Sequence, residues 1–145
     1  MKKTTVLIIL ATCSLLYAAG NESAVLTSWV ERRNQEPLIK PVWEFVITGT
    51  WTAEDDADTK ITIPVNGVII TVILEIPQSK TGADVEVEIG DSAEHIIFDS
   101  GDQAAGGTCT YSIFEPVTEN IKVWMGPSIP FGVGGGEIVV TLRGI

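Results

Sequence analysis

The sequence predicts an all-β chain: a two-sheet antiparallel β-sandwich, jelly-roll-like, with about eight strands, preceded by an N-terminal apolar arm and a short helix. Three observations predict it. Between Trp43 and Arg143, short apolar runs recur at roughly ten-residue spacing, the rhythm of a sandwich. Most of the runs alternate apolar and polar positions, the period of a half-buried strand. Each is bounded by Gly, Pro, Asn or Asp, and the chain carries Gly 14 and Pro 7, residues that set turn dihedrals. Hydrophobic residues at 45% against charged residues at 19% leave enough apolar surface for a packed core and exclude global disorder.

Three segments follow from composition: residues 1–20, an apolar N-terminal segment; residues 21–41, a short helix and linker; residues 42–145, the β-sandwich domain. The first joins a basic tip (Lys2, Lys3) to an apolar stretch from Val6 to Leu16 and small residues at Ala18, Ala19 and Gly20. Those are the parts of a secretory signal peptide. The stretch is short for a membrane span, which needs about 20 residues. A cleaved signal peptide, a retained assembly arm and a membrane contact by residues 4–20 stay open as readings. In Asn21–Arg33, Leu26, Trp29, Val30 and Arg33 fall at the spacing of one helix face, with Asn21 or Ser23 as cap. Pro37 and Pro41 then frame an extended linker.

Within the domain, Val42–Trp51 sets Trp43, Phe45, Ile47 and Trp51 on one side, with Gly49 marking a bulge or bend. An acidic hairpin turn at Ala53–Asp58 leads to the strand Thr59–Ile63. Asn66-Gly67 signals a hairpin. Val68–Ile76 is nearly all apolar and reads as a central strand covered on both sides. Ala83–Ile89 turns Val85, Val87 and Ile89 inward, and His95–Phe98 is a short strand. Thr108–Phe114 sets Cys109, Tyr111 and Ile113 on one face. Glu119–Met125 does the same with Ile121, Val123 and Met125, leaving Trp124 on the other. Gly126–Gly136 is a loop, and Glu137–Leu142 closes the domain.

Charge is unevenly spread. The net charge is −10, from nine Lys and Arg and nineteen Asp and Glu. Residues 1–40 hold five of the cations (Lys2, Lys3, Arg32, Arg33, Lys40) and three of the acids (Glu22, Glu31, Glu36), a net of +2. The remaining four cations and sixteen acids give residues 41–145 a net of −12. So acidic a domain repels phosphate backbones and argues against direct nucleic-acid binding. Two cysteines, Cys13 and Cys109, are too few for a disulfide framework.

Chemistry-bearing patterns are sparse. Glu54, Asp55, Asp56 and Asp58 offer oxygen ligands but lack the spacing and glycine of a calcium loop. His95 is the single histidine; Asp91, Ser92 and Asp99 are close in sequence, yet residues along one strand do not converge as a triad does. Gly134-Gly135-Gly136 has no Lys-Ser/Thr after it and so is no phosphate loop. No catalytic, cofactor-binding or metal-ligating residue is expected. The apolar loop around Trp124, Ile129 and Phe131 is either tucked onto the core or a contact surface. It is the first interface expected, and Leu26, Trp29 and Val30 form the second.

The order VNGVIITVILEIP, VEVEIGD, IIFDSGDQAAG and FEPVTENIKVWMGPSIPFGVGGGEIVVTL resembles small β-sandwich domains of bacteriophage virion proteins. The matching positions are Gly67, Ile69, Pro77, Asp99, Gly101, Pro116, Ile121, Lys122, Val123, Gly126, Pro127, Gly135, Val139, Val140, Thr141 and Leu142. The resemblance spans residues 59–145. It implies a non-enzymatic capsid, decoration or fibre-type subunit in the virion, whose partners are copies of itself and other virion proteins, with no cofactor. The signal-like start departs from that pattern. It keeps open a secreted or cell-surface β-sandwich such as a pilus subunit or adhesin.

Overall fold

The structure, a computed structural model, describes residues 22–31 and 43–145. Ten strands follow in chain order: β1 (Ser23–Glu31), β2 (Trp43–Trp51), β3 (Thr59–Pro64), β4 (Gly67–Ile76), β5 (Asp84–Gly90), β6 (Ile96–Asp99), β7 (Gln103–Ala104), β8 (Gly107–Val117), β9 (Asn120–Pro127) and β10 (Gly136–Gly144). They form two antiparallel five-stranded sheets, and there is no helix among the described residues. One sheet runs β1-β2-β10-β4-β8; the other runs β3-β9-β5-β6, with the short β7 also paired to β5.

Setting β1 and β7 aside leaves eight strands. Counted in chain order, they lie 1-8-3-6 in one sheet and 2-7-4-5 in the other. This is the double Greek key of a jelly roll. The core lies between the sheets and is built from the alternate residues that the sequence pattern turns inward. Trp43, Phe45, Ile47 and Trp51 come from β2; Val85, Val87 and Ile89 from β5; Ile121, Val123 and Met125 from β9; Ile138, Val140 and Leu142 from β10. Each such side chain taken out of water contributes about 1.5–3 kcal/mol.

The helix expected over Asn21–Arg33 is instead strand β1. Leu26 opposes Ile47 and Trp29 opposes Phe45 on β2, so both face the core side of the sheet. Their three-residue spacing arises because Thr27 is an extra residue between the paired positions Leu26 and Ser28. A bulge of one residue turns the strand period of two into a local three, which imitates a helix.

Other expectations shift for similar reasons. Gly49 holds regular register with both neighbours and makes no bulge. It is small because the Trp51 ring and the Met125 sulfur pack over it, 2.6 and 2.7 Å from where a Cβ would stand. Asn66-Gly67 is not a hairpin, since β3 and β4 lie in different sheets. The Asn66 carboxamide oxygen instead accepts from the Glu119 amide, at 2.9 Å. The acidic segment at Ala53–Asp58 likewise crosses between sheets rather than closing a hairpin. β4 is central in its sheet, but only one side is covered: Ile69, Val72, Leu74 and Ile76 are buried, whereas Ile70 and Ile73 are half-buried and Glu75 is exposed. β9 continues through Gly126 and Pro127, which pair with Glu86 and Val85, so the following loop begins later than expected.

Candidate functional site

The candidate interface residues fall in three separate places. On β1, Leu26 is half-buried against the core, and Trp29 is 45% exposed while its ring stacks on Phe45 at 5.9 Å and 19°. Val30 lies on the same strand, opposite Glu44. Trp124 is half-buried on the outer face of the second sheet. Ile129, in the β9–β10 loop, is exposed.

Phe131 is not a surface residue. It is buried and meets Trp51 edge-on, 6.2 Å between centroids. The loop around it is tied down: Thr81 Oγ1 donates to the Pro130 carbonyl at 2.6 Å, and the Gly132 amide donates to the Ala53 carbonyl at 3.1 Å. The loop is therefore tucked onto the core through Phe131, while Ile129 and Val133 remain outside. Gly135 closes it with φ +66 and its Cα against the Trp51 carbonyl, where no side chain fits.

Alternation did not point to Phe114 as an interface residue, yet it is 71% exposed on β8. Among the described residues, β8 ends the first sheet and pairs only with β4. Together with Val25 and Trp29 on β1, at the opposite end of that sheet, large apolar side chains stand on both open edges. The signal was present in the length and apolar content of Thr108–Phe114, but edge status depends on sheet order.

The outer face of the second sheet carries the densest polar chemistry. The Trp124 ring lies across Gly90, 2.7 Å from where a Cβ would stand, so only glycine accommodates it there. Lys60, opposite on β3, holds its ammonium 6.0 Å from the ring centroid. Glu88, opposite on β5, groups its carboxylate with those of Glu86 and Asp99, all within 4.8 Å. Loss of hydration, reinforced by Asp99, Glu88, Asp102 and Asp58, raises the Glu86 carboxyl above its ordinary range. Lys122 pairs with Glu94 and holds that carboxyl below its ordinary range. Sequence reading missed this cluster, although Glu86 and Glu88 at alternate positions already share a strand face.

The residues weighed as chemistry serve local turns. Asp55 Oδ1 accepts from the Ala57 amide, and the Ala57 carbonyl takes the Trp51 indole N–H at 2.7 Å. Asp91 accepts from the Ala93 and His95 amides and lies 3.1 Å from His95 Nδ1. These hydrogen bonds, chiefly that from the His95 amide, lower the Asp91 carboxyl. Asp99 accepts from the Gly101 amide at 2.6 Å, in its own turn. Cys109 is a free, half-buried thiol that donates to Gln103 Oε1 at 3.3 Å. Cys13 lies outside the described residues.

No protein-family model and no curated protein matches the chain. Solved structures with a related outline include an arabinose-bound α-L-arabinofuranosidase, at TM-score 0.40 and 9% identity over 86% of this chain. This chain spans about a fifth of that enzyme's length (22%). A carbohydrate-binding module of a multidomain xylanase from the hindgut metagenome of Trinervitermes trinervoides aligns at TM-score 0.39 and 14% identity, over 86% of this chain and 98% of the module. The enzymatically active domain of tailspike protein 4 of bacteriophage CBA120 aligns at TM-score 0.37 and 12% identity, over 86% of this chain and 19% of that one.

Proposed function

We propose that this chain is a non-enzymatic structural subunit of a virion, of capsid, decoration or fibre type. It assembles with copies of itself and with other virion proteins through its N-terminal arm and its exposed edges. One observation carries the reading: among the described residues, both outer strands of the first sheet are open along one side and bear large exposed apolar residues, Val25 and Trp29 on β1 and Phe114 on β8. An unpaired strand presents a row of free amides and carbonyls and is a template for another chain. Natural monomers blunt such edges with short strands and charges. β8 is 11 residues long, and only Glu115 and Pro116 near its end blunt it, next to the exposed Phe114. Electron microscopy of native material tests the proposal. Shells, fibres or decorated particles are expected; a monodisperse monomer at all concentrations overturns it. Intact mass adds the origin: a mass that begins at Met1 or Lys2 fits the virion, whereas loss of about twenty residues fits export.

A second reading has its own observation. The Trp124 ring flattened over Gly90, flanked by Lys60 and Glu88, is an aromatic platform bordered by hydrogen-bonding groups. An exported adhesin that stacks a sugar ring on Trp124 would use that face. Tryptophan fluorescence titrated with a panel of monosaccharides and oligosaccharides checks it, with Trp124→Ala as the control. Saturable change lost in the variant supports the adhesin; no change with any sugar removes it.

A further inference from the structure

We propose that β1 is exchanged between copies: the β1 strand of one chain adds to the β2 edge of a second copy. This rests on the assembly reading above and names its contact. Three observations support it. First, β1 adds little to the core: Leu26 packs against it but is only half-buried. Among the described residues, every buried hydrophobic residue lies at Trp43 or beyond, and within residues 22–29 none is more than half-buried. Second, among the described residues β1 pairs with one neighbour, through a ladder that the extra residue Thr27 interrupts.

Third, the connection is far longer than the gap it crosses. Glu31 pairs with Trp43, so residues 32–42, eleven positions, link two strands that sit side by side. Antiparallel neighbours lie about 5 Å apart and are commonly joined by 2–5 residues. Eleven residues reach about 36 Å when extended, enough to pass from one sandwich to the next.

Exchange keeps the same contacts. Leu26 meets Ile47, Trp29 stacks on Phe45, and Thr27 Oγ1 donates to the Val46 carbonyl, whichever chain supplies the strand. The balance between the two arrangements is then set by the connection and by local concentration, which is why swapping is a low-cost route to association.

Val25 and Thr48 are paired across β1 and β2. Full-length chains carrying Val25→Cys and others carrying Thr48→Cys, both with Cys13→Ser and Cys109→Ser, are co-expressed with different tags and oxidised. The expected result is a mixed-tag disulfide dimer on a non-reducing gel, beside residual monomer from like-with-like pairs. A single chain with both cysteines controls for bond geometry. Ser28→Cys with Val46→Cys, a pair further along the ladder beyond the bulge, repeats the test if the first pair does not fold. Particles by microscopy without mixed disulfide, while the double variant closes within one chain, overturn the exchange and leave the assembly reading standing. A monomer by microscopy and sizing overturns both.

Discussion

Two core tryptophans with different polar environments separate the contribution of a ring from that of its N–H. Trp51 donates to the Ala57 carbonyl and so ties the β2–β3 crossing to the core. Trp43 is also buried, yet its indole nitrogen meets no acceptor among the described residues. A buried donor without a partner costs about 1–3 kcal/mol. Trp43→Phe is therefore expected to lose ring area but regain that penalty, ending within about 1 kcal/mol of the parent in urea unfolding. Trp51→Phe is expected to cost at least about 2 kcal/mol, because it also strands the Ala57 carbonyl. Equal losses at the two sites would refute this ordering.

On the surface, the raised Glu86 carboxyl disfavours its charged form in the folded chain. Its destabilising effect is absent at low pH, grows as pH rises from the ordinary glutamate value through the raised one, and is full above that. Glu86→Gln should thus raise stability at pH 7 by about 0.5 kcal/mol or less, the scale of exposed charges, and the gain should vanish in acid. Asp91 has the opposite sign. Its lowered carboxyl favours the folded chain above the ordinary aspartate range, and that advantage fades as pH falls.

Among the elements, β1 shows where periodicity misleads. Leu26 and Trp29 carry a spacing that is helical in isolation, and only the ladder to β2 reveals Thr27 as the surplus residue. Removal of Thr27 leaves Leu26 and Trp29 both inward in ordinary alternation. The deletion is expected to change stability by no more than about 1 kcal/mol, the worth of the lost Thr27 hydrogen bond. Deleting Val87 from β5 would instead turn the rest of that strand inside out and unfold the chain. Thermal unfolding of the two deletions decides it; equal damage would mean that Thr27 is not the bulge. The other strands were legible because Val85, Val87 and Ile89, or Ile121, Val123 and Met125, state their face directly. Their partners were not. β2 pairs with β10 across most of the chain, and β3 leaves β4 for β9 although Asn66-Gly67 lies between them. Local turn chemistry says that the chain reverses; it does not say into which sheet.

For the whole molecule, electrostatics sets the condition under which edges can meet. The acidic cluster of Glu86, Glu88 and Asp99 was invisible along the chain because Asp99 arrives from β6, a pairing that no spacing announces. The overall balance, by contrast, was plain in the composition. Each chain carries −10, so copies repel one another at a distance even though Val25, Trp29 and Phe114 stand ready at close range. Charge repulsion is screened within about 10 Å at 0.1 M salt and about 3 Å at 1 M, whereas apolar contact and strand addition are not weakened by it. Assembly should therefore strengthen with salt. Light scattering at pH 7 is expected to show a larger associated fraction at about 0.5 M sodium chloride than at about 0.02 M, with the same trend as pH falls toward the isoelectric point near 4.4. Phe114→Lys should reduce association at every salt concentration while leaving the unfolding midpoint within a few degrees, since the side chain is exposed. Particles that come apart as salt is added would show instead that opposite charges hold them, and would shift the contact away from the apolar edges.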